Sequence, residues 1–141
     1  VTRDKTIQRK LIAAAREAAA AAYCPYSEYP VGAALLTVDG QVYTGCNVEN
    51  VSYGLSNCAE RTALFKAVSA GSRSFAALAV AGGTKKPAAP CGACRQVLAE
   101  FCVPEMPVFI ARLKGGHVTV STVGELLPLA FAIPSVSIAD H

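Results

Sequence analysis

Three cysteines, Cys58, Cys91 and Cys94, are the side chains of this 141-residue sequence best suited to hold a metal ion. Cys91 and Cys94 are three residues apart, so on a helix they share a face and can grip one ion together. Cys58 is the third ligand if the fold brings it alongside. Soft thiolates in a tetrahedral set select zinc, with Zn–S distances of about 2.3 Å. A structural zinc site is closed by four protein ligands, whereas a catalytic one keeps a position for water. A fourth ligand is hard to find here. Cys102 lies eight residues past Cys94, about 12 Å along a helix axis at about 1.5 Å per residue. Cys24 and Cys46 have no partner at chelating spacing, and His117 falls on a distant turn. The centre is expected to carry three thiolates and one open position.

Glu60 decides what that position does. A carboxylate beside an activated water shuttles protons and does not ligate the ion. Two residues along a regular helix point about 200° apart, so Cys58 and Glu60 converge only if Cys58 sits at the helix lip with non-helical dihedrals. Charge is a second problem, because zinc with three thiolates is formally negative and acidifies water less well. A cation donating hydrogen bonds to the thiolates would restore that power. Arg61 is the first candidate and Arg95 the second.

These side chains need elements to position them. Ile7, Leu11, Ala15, Ala18 and Ala22 recur at three- and four-residue steps and predict a first helix over about 4–22, ended by Pro25. Segments 31–38 and 41–48 are strand-like, joined by Asp39-Gly40, a two-residue hairpin signal in which Gly supplies a positive φ. A loop over 50–57 leads to a second helix over 58–70, closed by Gly71. A buried strand over 75–81, a third helix over 91–101, strands over 107–113 and 117–120, and a last helix carrying Glu125, Leu126 and Leu127 complete the order. One helix and one strand separate Cys58 from Cys91, a crossover that can set two helix N-termini side by side. Unpaired N–H groups and the helix dipole favour thiolates there. The fold class is α/β, a three-layer α/β/α sandwich around a mixed sheet of about five strands. With no internal repeat or linker, residues 1–141 read as one domain.

Composition narrows the function classes. Hydrophobic residues make up 52% and charged residues 16%, against roughly 25% charged in an average soluble domain. Disorder is excluded, and apolar faces are expected to meet other subunits. The longest stretch free of Asp, Glu, Lys and Arg, over 126–139, is broken by Pro128 and Pro134; a membrane span needs roughly 20 apolar residues. The basic N-terminus reads as an amphipathic helix and not a signal peptide, since Arg16 and Glu17 interrupt its alanine run. Beginning at Val1, the chain is expected to be trimmed at its ends. Net charge is +3, with no basic run longer than Lys85-Lys86. That argues against a nucleic-acid surface and for a small neutral substrate. Six cysteines without a secretory signal read as the thiols of a cytoplasmic protein, with Cys24, Cys46 and Cys102 inert.

Cys58-Ala59-Glu60 followed by Pro90-Cys91-Gly92-Ala93-Cys94 matches the three-cysteine form of the known zinc-deaminase signature, a match of pattern and not a derivation from spacing. Over about residues 11–131 the chain resembles the small homotetrameric cytidine deaminases of pyrimidine salvage. The matching segments are Tyr26-Ser27-Glu28-Tyr29-Pro30-Val31-Gly32-Ala33-Ala34, Gly45-Cys46-Asn47-Val48-Glu49-Asn50, Ser52-Tyr53-Gly54, Cys58-Ala59-Glu60-Arg61-Thr62-Ala63, Pro90-Cys91-Gly92-Ala93-Cys94-Arg95-Gln96 and Glu125-Leu126-Leu127-Pro128.

The resemblance implies hydrolytic deamination of cytidine and 2′-deoxycytidine, one zinc ion per subunit, and Glu60 as proton shuttle. It implies that Asn47 and Glu49, i and i+2 on one strand face, bind the ribose hydroxyls. Tyr29 matches a position, usually Phe, that packs on the pyrimidine ring. Backbone groups at Ala59 and near Pro90 hold the base edge, and Arg61 donates to the thiolates. Phe131 and Tyr53 match residues that work across subunits. The usual Phe-Gly-Pro ending reads Phe131-Ala132-Ile133-Pro134 here. Membrane and nucleic acid are not expected partners. Taken singly, the thiols pass for small buried hydrophobes, Glu60 for a first-turn carboxylate, and Tyr29 and Phe131 for core. Two rival functions remain: a polynucleotide-editing deaminase, which needs a basic groove, and a non-enzymatic zinc module, which needs a fourth protein ligand.

Overall fold

The structure, a computed structural model, describes residues 4–133 and 136. Helix α1 (Lys5–Ala19) begins at Asp4, whose carboxylate accepts the Thr6 N–H at 2.7 Å. It buries Gln8, Leu11, Ile12, Ala15 and Ala19, so the inward stripe is rotated from the expected Ala18 and Ala22. It also ends three residues early. The N–H groups of Ala20, Ala21 and Ala22 each bond a carbonyl three residues back, the tighter winding common at helix ends. Tyr23 is then drawn to the sheet, donating to Asn47 O at 3.0 Å and accepting from Glu49 N–H at 2.8 Å.

Strands β1 (Val31–Thr37) and β2 (Val42–Cys46) form the expected hairpin, with Leu36 opposite Val42. Its loop has three residues, 38–40, and not two. Thr37 N–H closes it on Gln41 O at 2.8 Å, Gly40 takes φ +94°, and Val38 N–H leaves the ladder for Ser74 O. Strands β3 (Phe75–Gly82), β4 (Pro107–Ala111) and β5 (Thr119–Thr122) complete a sheet of order β2-β1-β3-β4-β5, in which only β3 and β4 run parallel. Strand β5 starts two residues later than expected because Gly115 and Gly116, both at positive φ, lengthen the preceding turn.

Alternate residues of β1, β3 and β4 feed two cores, which is why these strands read as unbroken apolar runs. Helix α1 packs Leu11, Ile12 and Ala15 against Ala34, Ala77, Ala79, Phe109 and Ala111. On the other face α2 (Ala59–Ser69), α3 (Gly92–Phe101) and α4 (Val123–Leu126) bring Leu64, Leu98 and Val123 against Leu35, Leu78, Val80, Val108 and Ile110. The result is the expected α/β/α sandwich. Helix α2 stops at Gly71, φ +97°, where Ser72 N–H reaches Ala67 O and Gly71 N–H reaches Val68 O, a left-handed cap that only glycine adopts readily. Pro134, the last residue of the matched ending, lies outside the described residues.

Candidate active site

Cys58 and Cys91 are the N-cap residues of α2 and α3, with extended dihedrals (φ −79°, ψ 157° and φ −70°, ψ 170°). This geometry removes the expected obstacle. Because Cys58 stands outside the helical spiral, Glu60 need not point away from it. Cys58 Sγ lies 3.6 Å from Cys91 Sγ, which lies 3.6 Å from Cys94 Sγ, and all three fall within 4.8 Å of one another. Sulfurs on a tetrahedral zinc with bonds of about 2.3 Å stand about 3.8 Å apart. The cluster therefore has the size of a zinc triad, and among the described residues no fourth His, Cys or carboxylate joins it.

The donors also have the chemistry for a cation. A hydrogen bond from Cys94, then Arg61 and Cys91, holds the Cys58 thiol down to about 5. The proton shared with Cys58, then burial, pushes the Cys94 thiol up. Three crowded sulfurs cannot all ionise unaided, and a divalent ion removes that conflict. Arg61 Nη2 donates to Cys58 Sγ at 3.3 Å, in the expected place. Arg95 is different. Its Nε donates to Pro90 O at 2.7 Å and its Nη1 to Leu126 O at 2.9 Å, so it braces the loop ahead of Cys91 and touches no sulfur. Each arginine lies about one turn past an N-cap cysteine, but only Arg61 turns to the sulfur, whereas the guanidinium of Arg95 is taken up by the two carbonyls.

Glu60 is 4% exposed, and burial pushes its carboxyl up to about 7. It sits beside Cys94 and Cys58 without belonging to the sulfur cluster. Above it opens a cavity of about 370 Å³, lined by Tyr29, Asn47, Glu49, Cys58, Ala59, Glu60, Cys91 and others. Both cysteine-bearing helix starts and the segment just past β2 thus face one space.

Asn47 is buried, and its amide is held at both ends. Nδ2 donates to Tyr29 O at 2.9 Å and Oδ1 accepts from Val31 N–H at 2.8 Å. Each group keeps one hydrogen or lone pair for a ligand. Glu49 accepts from the Ser27 hydroxyl and from the Tyr26 and Ser27 N–H groups, which hold its carboxyl below the usual range. Ser27 and Asn57 are lining residues that sequence reasoning passed over. Ser27 stands within a matched segment, but no periodicity links it to Glu49, 22 residues away. The Tyr29 ring borders the cavity, and its hydroxyl rests over Gly83, 2.6 Å from where a Cβ there would sit.

Two expected substrate contacts are not brought to this cavity. Tyr53 and Phe131 are each 76% exposed and lie outside its lining. Tyr53 faces Tyr26 edge-on at 6.0 Å in an adjoining hollow, and Phe131 lies on the outside of α3, its carbonyl accepting from Gln96 Nε2.

Residues 5–110 match the family described as the cytidine and deoxycytidylate deaminase zinc-binding region. The chain belongs to that family. It is 58% identical over 130 residues to a cytidine deaminase of Sporosarcina psychrophila, covering 92% of this chain and 95% of the relative. It is 55% identical over 124 residues to the cytidine deaminase of Halalkalibacterium halodurans, covering 88% and 93%. Among solved structures, the cytidine deaminase of Burkholderia pseudomallei superposes with a TM-score of 0.84 at 54% identity, over 93% of this chain and 100% of that one. The cytidine deaminase of Mycobacterium tuberculosis gives 0.77 at 45% identity, over 89% and 97%.

Proposed function

We propose that this chain deaminates cytidine and 2′-deoxycytidine hydrolytically, giving the uridines and ammonia. The observation that carries the reading is the convergence of three thiols from two helix starts with a buried carboxyl, at the floor of a cavity of nucleoside size. Cys58, Cys91 and Cys94 hold one zinc ion. When bound, zinc supplies Lewis acidity that makes water a nucleophile near neutral pH. Glu60 takes a proton from the attacking water and passes it to ring N3, then carries the proton of the new C4 hydroxyl to the amino group, so that C4=O forms as the C4–N bond breaks and ammonia leaves. Arg61, donating to Cys58 Sγ, draws charge from the thiolate. The free capacity of Asn47 and the carboxylate of Glu49 receive the ribose hydroxyls, Tyr29 flanks the ring, and Ala59 and the loop before Cys91 meet the base edge.

We assign the active form to a homotetramer, in which Tyr53 and Phe131 complete neighbouring sites. Support comes from apolar side chains left exposed, Val51, Leu55 and Leu129 among them. Residence in the cytoplasm and a role in pyrimidine salvage fit a centre built of thiols that must stay reduced. They also fit the absence, among the described residues, of a helix long and apolar enough to cross a membrane. The test is zinc content measured beside loss of cytidine absorbance and release of ammonia. One zinc per chain with stoichiometric ammonia is expected. Zinc-loaded protein that leaves cytidine intact would overturn the reading.

A further inference from the structure

Gly45, on β2, stands directly against the backbone of α2. A Cβ there would lie 2.5 Å from Ala63 N, 2.7 Å from Ala59 O and 2.9 Å from Thr62 Cβ, all inside the 3.4 Å at which ordinary contact begins. Two of these are backbone atoms of the first turn of α2, which carries Glu60 and Arg61 and follows Cys58 directly. The helix lies flat on the sheet because Ala59, Ala63 and Ala67, one turn apart on one face, are all fully buried. A second tie holds the same two segments. Val48 and Asn57 exchange N–H···O bonds at 2.9 Å. Thr62 Oγ1 accepts from Asn57 Nδ2 and donates to Cys58 O, each at 3.2 Å. Strand and helix are therefore pinned at 45 and at 48, with Asn47 between the pins and Glu49 just beyond.

We propose that Gly45 is a positioning residue that fixes the distance between the nucleoside-holding segment that continues β2 and the proton-moving first turn of α2. This rests on the function proposed above. A methyl group at 45 forces that turn to withdraw by about 1 Å, a misplacement that costs about 10²-fold in rate. The opposite face supplies a matched control. A Cβ at Gly32 would lie 1.8 Å from Ala15 O and 2.5 Å from Ala19 N of α1, a helix that bears none of the site residues.

Wild type, Gly45→Ala and Gly32→Ala are compared for melting temperature, zinc content and kinetics on cytidine, with rates referred to folded protein. Both variants are expected to melt lower. Only Gly45→Ala is expected to lose kcat, about 100-fold, with KM changed less than about threefold and zinc retained. Equal kcat in the two variants, or a loss that follows zinc content, overturns the proposal. Should Gly45→Ala fail to fold, Thr62→Val carries the test, because it keeps the side chain's shape and cuts its tie to Asn57. A kcat about tenfold lower with zinc retained supports the proposal, and an unchanged kcat overturns it. A wild-type chain inert toward cytidine would defeat the functional reading instead, and is recognised before any variant is compared.

Discussion

The floor of the cavity and its rim are built in opposite ways. At the floor, Glu60 and Cys94 are buried, Arg61 bonds a thiol, and the groups come from two helix starts on one sheet. Further out, Tyr29 borders the cavity while Tyr53 and Phe131 lie beyond its lining, and the three are 42%, 76% and 76% exposed on separate segments. A buried polar cluster has to find its partners nearby, so its geometry is fixed locally, although Arg61 Nε is buried here without one. An exposed aromatic rim has no such obligation and is free to wait for another surface. Chemistry is thus expected to reside in the single chain, and recognition in the assembly.

Variants can break that division or sharpen it. Glu60→Ala should lower kcat by about 10³–10⁴-fold with zinc and circular dichroism unchanged; near-wild-type turnover would remove the shuttle from the floor. Cys94→Ala should reduce activity in step with zinc content and lower the melting temperature, because a buried ligand is lost. Full zinc occupancy in that variant would mean the triad is not the metal centre. Arg61→Gln should keep zinc but lower kcat about 10–100-fold, as the thiolate loses its charged donor. A change in KM alone would move Arg61 from the floor to the binding of substrate. Phe131→Ala should raise KM about tenfold, and mixing its subunits with Glu60→Ala subunits should restore part of the activity. No recovery on mixing would make the rim a property of one chain. Tyr29→Phe should change kcat/KM by less than about threefold, since the hydroxyl rests against Gly83.

Sequence made the floor legible because its information is short-range. Cys91 and Cys94 share one turn, Glu60 follows Cys58 by two, and helix-start signals surround both. The need for Cys58 to sit outside the helix could be stated from periodicity alone, and its extended dihedrals meet it. The layered fold was likewise readable from the alternation of helices and strands. What escaped notice is long-range or is decided at ends. Ser27 reaches Glu49 across 22 residues with no shared pattern. The early end of α1 and late start of β5 depend on where Tyr23 meets the segment past β2 and how two glycines turn. Arg95 resembled a thiolate partner by nearness in sequence, but its guanidinium is taken by Pro90 O and by Leu126 O, 31 residues away. The rim aromatics could be named only by likeness, because nothing in their spacing says what they touch.

Helices α2 and α3 both open on a cysteine that gives its own backbone no side-chain cap. A serine or aspartate would serve the helix it begins; these sulfurs turn toward each other. Two secondary-structure elements therefore share one point of failure, and oxidation there would fray both at once. Ageing of the protein in storage should announce itself at that seam before it reaches the sheet.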